Sequence, residues 1–357
     1  MFKSFSNIKI SAIASSSGKL QHNVETVCQS FLEERHCKRL VKTLGFEKVR
    51  QIPLNMTTAD MCVDLCSDIL DKMNVSPEEI GALVFVTQTN DSIAPATVFS
   101  MQKRLGLSAD CYLNNLTNGC SGSMHGLFEG AALIASKVAS KVLVCFGDTY
   151  CKILGIEDCD QQANAALFGD GAGVILLEEA DNVPDLYFNY EMNGALDDVI
   201  RDSKYSERYE RLKLGVKKGL LEESVLDPYS KKGLQIDGTA IASYAIDTVV
   251  PNVVSLLKRA GKEINDISIF LLHQANKTVL KSVALTLDID PLRIPFVAKD
   301  TGNTSSAALA LAIGETQSVQ DDIKKGECVL CAFGVGMNVI SALADLTKTV
   351  VLPTKYY

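Results

Sequence analysis

Five apolar runs constrain this chain more than any other feature: IGALVFVTQ (80–88), KVLVCFGDT (141–149), GAGVILLEE (171–179), DISIFLLHQ (266–274) and ECVLCAFGVG (327–336). Each is rich in Val, Ile, Leu or Phe and is bounded by polar or glycine residues, as expected of a strand covered on both faces. Such strands need helices on either side. Helical periodicity predicts them over 58–73, 94–105, 121–137, 240–260, 278–287 and 305–316. The alternation of the two element types predicts an α/β protein. An internal echo sharpens this, because helix, SPEEIGALVFVTQ, helix recurs as helix, AGKEINDISIFLLHQ, helix. Both copies set an acidic residue and an isoleucine just before a buried strand. The echo predicts two similar halves, 1–180 and 181–357, joined near 180–184. A chain of 357 residues has room for that arrangement.

Between the halves lies a segment of different character, 196–232, containing SERYERLKLGVKKGLLEE. Its cations include Arg208, Arg211 and Lys213. They read either as a solvated helical face or as a basic surface where coenzyme A or a phosphopantetheine carrier docks. The formal charge of −8 argues against a general nucleic-acid binder. No apolar run looks long enough to span a bilayer, and the N-terminal residues read as no secretion signal. The 11 scattered cysteines fit free thiols in a reducing cytoplasm. The pairs Cys62/Cys66 and Cys328/Cys331 have no neighbouring histidine, so they read as core packing rather than as a metal site.

Four loops carry chemistry. In NGCSGSMHG, Cys120 opens a helix with Gly122, Gly126 and Gly130 along it. Glycine inside a helix costs up to about 1 kcal/mol relative to alanine, so several in one helix predict close approach by neighbouring elements. The helix start carries partial positive charge, which predicts a lowered thiol pKa and a nucleophile at Cys120. HQAN places His273 at the end of an apolar strand, where open α/β sheets face a crevice. His22 and His36 look exposed, and His125 reads as a packed or hydrogen-bonded helix histidine. In TGNTSSA, Asn303 either caps the helix that follows or presents its amide to a cleft. FGVGMN is a glycine turn whose backbone N–H groups suit half of an oxyanion hole. A cysteine with two neutral donors suits acyl-thioester chemistry that passes through an enolate, without metal or organic cofactor.

NGCSGSMHG, GDGAG, HQAN, TGNTSSA and FGVG, in this order, resemble the β-ketoacyl-[acyl-carrier-protein] synthase III family of the thiolase superfamily. The resemblance runs over nearly the whole chain. It implies a duplicated five-layered α-β-α-β-α fold, a cytoplasmic homodimer, and acyl-CoA and malonyl-carrier protein as substrates. It also implies a triad of Cys120, His273 and Asn303 and an oxyanion hole from the N–H groups of Cys120 and Val335. Gln88, Ala94, Asn118, Asn276, Gly334 and Gly336 become candidates for the acyl pocket or substrate site. Lys277 and Lys281 join the cations of the insert as docking candidates, since Thr278 stands where the family often has a basic residue. Ala94, in place of a bulky residue before Pro95, implies a roomier pocket, and the absence of tryptophan removes a coenzyme A stacking group of some members. Relatives with a glutamate base near the first strand end have Gln88 as their counterpart here, which disfavours that base. Two other readings stay open: an acyltransferase to a hydroxyl or amine without decarboxylation, and an inactive partner subunit.

Overall fold

The computed structural model describes residues 1–150, 165–202, 207–229 and 234–357. Its first strands are β1 (Phe2–Phe5), β2 (Ile8–Ser17), β3 (Leu20–Asn23), β4 (Lys48–Gln51), β5 (Ala82–Val86), β6 (Tyr112–Leu116), β7 (Lys141–Asp148) and β8 (Gly171–Glu179). Then follow β9 (Leu186–Met192), β10 (Ile200–Asp202), β11 (Leu234–Ile236), β12 (Ile269–Leu272), β13 (Glu327–Gly334), β14 (Asn338–Asp345), β15 (Val350–Val351) and β16 (Lys355–Tyr356). The helices of the first part are α1 (Val24–Gln29), α2 (Glu34–Leu44), α3 (Thr58–Met73), α4 (Thr97–Leu105) and α5 (Gly122–Ala135). Those of the second are α6 (Glu207–Lys217), α7 (Gly238–Tyr244), α8 (Val250–Arg259), α9 (Lys277–Thr286), α10 (Ala308–Glu315) and α11 (Gln317–Ile323).

Two large sheets organise the molecule. One runs β15-β2-β8-β7-β5-β6 with β16 also beside β2, and the other runs β1-β9-β14-β13-β12. The echo in the sequence is visible here. β7 pairs parallel with β5 and antiparallel with β8, just as β13 pairs parallel with β12 and antiparallel with β14. A short 3-10 turn precedes each echoed strand, Pro77–Glu79 before β5 and Ile264–Asp266 before β12.

Helices α5 and α10 lie between the sheets. Leu127, Ala131, Leu309 and Ile313 share one core with Val84 and Val144 of the first sheet and Leu330 and Ile340 of the second. Helices α3 and α4 cover the outer face of the first sheet, and α7, α8 and α9 that of the second. The order is therefore α-β-α-β-α. Cys62 and Cys66 are packed in the outer core against β7, with Cys66 Sγ 3.3 Å from Cys145 Sγ. Cys328 and Cys331 fall on opposite faces of β13, as a spacing of three in a strand requires, and each is core.

One sequence reading is corrected. Gly238–Arg259 is a helical run of 22 residues with mean hydropathy 1.5, long and apolar enough to cross a bilayer. It includes a π turn at Ala245–Val249. The sequence reading missed it because Asp247 and Asn252 interrupt the run. Val249, Val253, Leu256 and Leu257 are buried against the second sheet.

Candidate active site

Cys120 sits between β6 and α5, in a turn closed by the Gly122 N–H donating to Gly119 O at 2.7 Å. The side chain is 8 % exposed. Two glycines make its setting possible. A Cβ at Gly119 would lie 2.4 Å from Gln88 Oε1 and 3.1 Å from Val335 Cγ2. At Gly334, which ends β13 with φ +150°, a Cβ would lie 2.7 Å from Cys120 Cβ. The start of α5 and the β13–β14 turn are thus pressed together at Cys120. Along α5, a Cβ at Gly126 or Gly130 would meet Val144 or Leu177 of the sheet within 2.7 Å, so the glycines admit the strands as expected.

The electrostatics overturn one expectation. Burial pushes the Cys120 thiol up to about 12, and the nearby Asp148 carboxylate adds to the rise. Ser305 and the backbone N–H groups of Cys120 and Val335, which face Sγ, act in the opposite sense and only partly offset it. The helix terminus is worth about half a charge, whereas desolvation of a fully buried thiolate is larger. At rest Cys120 is a thiol.

His273 follows β12 directly. Its N–H donates to Cys331 O at 2.8 Å, continuing the pairing with β13 for one residue. The ring is buried edge-on against Phe333, and burial pushes its pKa down to about 4, against the neighbouring Ser305 backbone. The imidazole is neutral near pH 7 and serves as a donor or acceptor rather than as a cation. Asn303 is 6 % exposed. Its backbone bridges to Leu167 O and the Gly169 N–H at 2.9 and 3.0 Å. Its Oδ1 accepts from the Ser305 N–H at 2.9 Å. That bond occupies the oxygen end of the amide. The helical turn that follows starts at Ser305 with Thr304 as its N-cap residue and no side-chain cap bond, so Asn303 does not cap it in the expected way.

Ser305 is the common neighbour. It adjoins Cys120, Asp148 and His273 and holds the Asn303 side chain, from a left-handed backbone with φ 51°. Non-glycine residues seldom adopt that conformation. Asp148 is the residue that sequence reading missed. It ends β7, fully buried, and its Oδ1 accepts from the Gln88 N–H at 2.8 Å and from Thr87 Oγ1 at 3.2 Å. Ser306 Oγ donates to its Oδ2 at 3.5 Å. Burial raises its pKa to about 7 despite these donors. The signal was the one that singled out His273, a polar residue at the end of an apolar strand.

The remaining candidates divide. Gln88 lies at the site, its Oε1 accepting from the Tyr150 hydroxyl. Asn118 is half-buried beside Gly119, and Gly336 is exposed with φ 96°. Asn276 is occupied as the cap of α9, accepting from the Val279 N–H at 2.8 Å. Ala94 is exposed on the loop before α4. Lys277 and Lys281 are exposed on α9, and the intervening Thr278 donates to Thr43 O at 2.7 Å, docking α9 on α2. In the insert, β10 and β11 form an antiparallel ribbon and α6 packs on the 3-10 turn Glu223–Tyr229. Lys213 pairs with Glu210 at 3.9 Å, Arg211 is exposed, and the Arg208 side chain lies outside the described residues. His22, expected to be exposed, is half-buried and bonded to Gln51 Oε1 at 2.9 Å. His125 is hydrogen-bonded, as expected.

Comparison with known proteins shows the family of the chain. Residues 115–194 match the family described as 3-oxoacyl-[acyl-carrier-protein (ACP)] synthase III, and residues 257–346 match its C-terminal part. A β-ketoacyl-[acyl-carrier-protein] synthase III of Streptococcus agalactiae is 31% identical over 269 residues, covering 75% of this chain and 78% of the relative. The chain belongs to this family. A further member, from Clostridium tetani, is 28% identical over 302 residues, covering 84% of this chain and 87% of its own. The crystal structure of a 3-oxoacyl-(acyl-carrier protein) synthase from Burkholderia xenovorans superposes with a TM-score of 0.87 at 24% identity, covering 100% of this chain and 99% of that one. The family's thiolase-like fold is the five-layered arrangement described above, and the chain is an acyltransferase.

Proposed function

We propose that the enzyme forms an S-acyl-Cys120 intermediate and then condenses it with malonyl-carrier protein, releasing carbon dioxide. The observation that carries this is the meeting of Cys120, His273 and Asn303 around Ser305 in a chain of this family. In the first half-reaction Sγ attacks the thioester carbon of an acyl-CoA and the thiol proton passes to His273. The N–H groups of Cys120 and Val335 hold the oxyanion, and coenzyme A leaves with the proton. In the second, the malonyl thioester binds with its carbonyl oxygen between His273 Nε2–H and the Asn303 amide. Carbon dioxide departs, the thioester carbonyl takes the electron pair as an enolate, and the enolate carbon attacks the acyl carbon. The Cys120 thiolate leaves as the β-ketoacyl thioester forms and takes up one proton from solvent. The thioester carbonyl is itself the electron sink, so only the two thioester substrates enter the scheme.

Intact mass spectrometry after incubation with a panel of acyl-CoAs tests the first step: the mass gain is expected in the wild type and lost in Cys120→Ala. Carbon dioxide release from malonyl-carrier protein tests the second. Asn303→Ala should abolish it while leaving self-acylation, and turnover only with an amine or hydroxyl acceptor would refute condensation. We further propose a homodimer built on β6. This edge strand exposes Tyr112, and Phe99 of the adjoining α4 is 54% exposed. Tyr112→Asp with Phe99→Asp should shift the sedimentation of the enzyme toward that of one chain. Free buried cysteines suit a cytoplasmic enzyme.

A further inference from the structure

We propose that Asn338, held by His125, is the positioning residue of the oxyanion hole: its side chain fixes the turn that presents the Val335 N–H to Cys120. The inference rests on the reading of Val335 given under the proposed function. The β13–β14 pairing ends at Gly334 opposite Asn338, which leaves Val335, Gly336 and Met337 to make the turn. Gly334 and Gly336 have φ of +150° and +96°, conformations that glycine enters freely and leaves as freely. The ladder ends at the residue before Val335. Asn338 holds the next peptide of the turn, its Nδ2 donating to Val335 O at 2.7 Å, which fixes the residue whose N–H faces Cys120 from its other side.

The other end of the Asn338 amide is also occupied. Its Oδ1 accepts from His125 Nε2 at 3.2 Å. The two partners admit one amide orientation only, since a carbonyl oxygen cannot accept from Oδ1 and the imidazole N–H cannot donate to the NH2 group. Burial holds the His125 pKa below its ordinary value, so a neutral ring supplies the N–H. His125 stands on α5, the helix that Cys120 introduces. Both N–H groups of the hole are thereby referred to one rigid helix: that of Cys120 directly, and that of Val335 through Asn338. The clamp joins an element between the sheets to a turn of the second sheet, at the point where Gly334 brings them together.

The test compares Asn338→Asp, His125→Gln, His125→Leu and Val335→Pro in single-turnover acylation of Cys120 by an acyl-CoA that acylates the wild type. Each is also treated with methyl methanethiosulfonate, and modification of Cys120 is followed by peptide mapping. Attack on that reagent's sulfur needs no oxyanion hole and reports whether the thiol remains in its setting. Asn338→Asp keeps the shape and places an oxygen against Val335 O. It should lower the acylation rate by roughly a hundredfold, with KM for acyl-CoA and the thiosulfonate rate changed by less than about twofold. His125→Gln, which retains a donor, should stay near wild type, and His125→Leu should follow Asn338→Asp. Normal acylation in Asn338→Asp with failure in Val335→Pro would overturn the clamp and leave the hole standing. Normal acylation in Val335→Pro as well would overturn the hole itself. A parallel fall of acylation and thiosulfonate reactivity in Asn338→Asp would mark general loss of structure and overturn the positioning role.

Discussion

Asp148 and His273 titrate in opposite senses, and the two give the enzyme a pH dependence that can be measured without substrate. The Asp148 carboxyl goes from 3.8 to about 7 on folding, so the folded state binds its proton more tightly. Its contribution to stability is fully present below about pH 4 and is lost as pH rises through 7, about 4 kcal/mol for the full displacement. Asp148→Asn should therefore gain on the wild type in denaturant midpoint as pH goes from 5 to 8. The same substitution removes a charge that raises the Cys120 pKa, so alkylation of Cys120 at pH 8 should quicken. His273 falls from 6.5 to about 4, and its contribution is present above pH 6.5 and lost as pH falls toward 4. His273→Gln should flatten that acid limb. Gly334→Ala belongs to the same scale. With a Cβ 2.7 Å from that of Cys120 and φ at +150°, the variant should fold less stably and lose S-acylation in the mass assay.

Among the elements, α5 shows which effect wins when propensity and packing conflict. Alanine is the better helix former by up to about 1 kcal/mol, which alone would make Gly126→Ala stabilising. Its Cβ, however, would stand 2.5 Å from Val144 Cγ1 in a fully buried strand. Overpacking of that kind costs about 1–3 kcal/mol, so the variant should lose stability in urea unfolding, and Val144→Ala should restore part of it. Helix α3 is the opposite case, where local chemistry decides. Thr57 Oγ1 accepts from the Asp60 N–H at 3.3 Å, and Asp60 Oδ2 accepts from the Thr57 N–H at 2.8 Å. This capping box starts the helix where periodicity placed it. Replacing Thr57 by Ala should cost about 1 kcal/mol in the same measurement.

At the scale of the molecule, the two sheets exchange their terminal strands. β1 pairs with β9 in the second sheet, while β15 and β16 pair with β2 in the first. Lys355 bridges Asp64 and Asp68 on α3 at 2.8 and 2.5 Å, and Tyr356 donates to Glu315 of α10 at 2.7 Å. A division at residue 180 leaves each half without strands that complete its sheet. Deletion of residues 350–357 uncovers the β2 edge and frees these partners, so it should lower the melting temperature and promote association through that edge.

The strands, the helices and the repeat were legible because each depends on residues adjacent in the chain. The echo at 80–88 and 266–274 became β5 and β12, and the residues just past each strand, Thr87 and His273, still donate to the neighbouring strand where the run ends. Cys120, His273 and Asn303 were legible as candidates as well, through their placement at strand ends and loop turns. The Cys120 pKa was not, because a helix dipole is local to α5 while desolvation comes from surfaces supplied by β7, β13 and the turn at Ser305. The raised pKa of Asp148 and the His125–Asn338 hydrogen bond were hidden for the same reason: the partners are far away in the chain, 213 residues apart for that bond. The candidate chemistry could be read along the chain, whereas the raised pKa of Cys120 and the close approach of the β13–β14 turn to it were decided by packing one sheet's helix against the other sheet's turn.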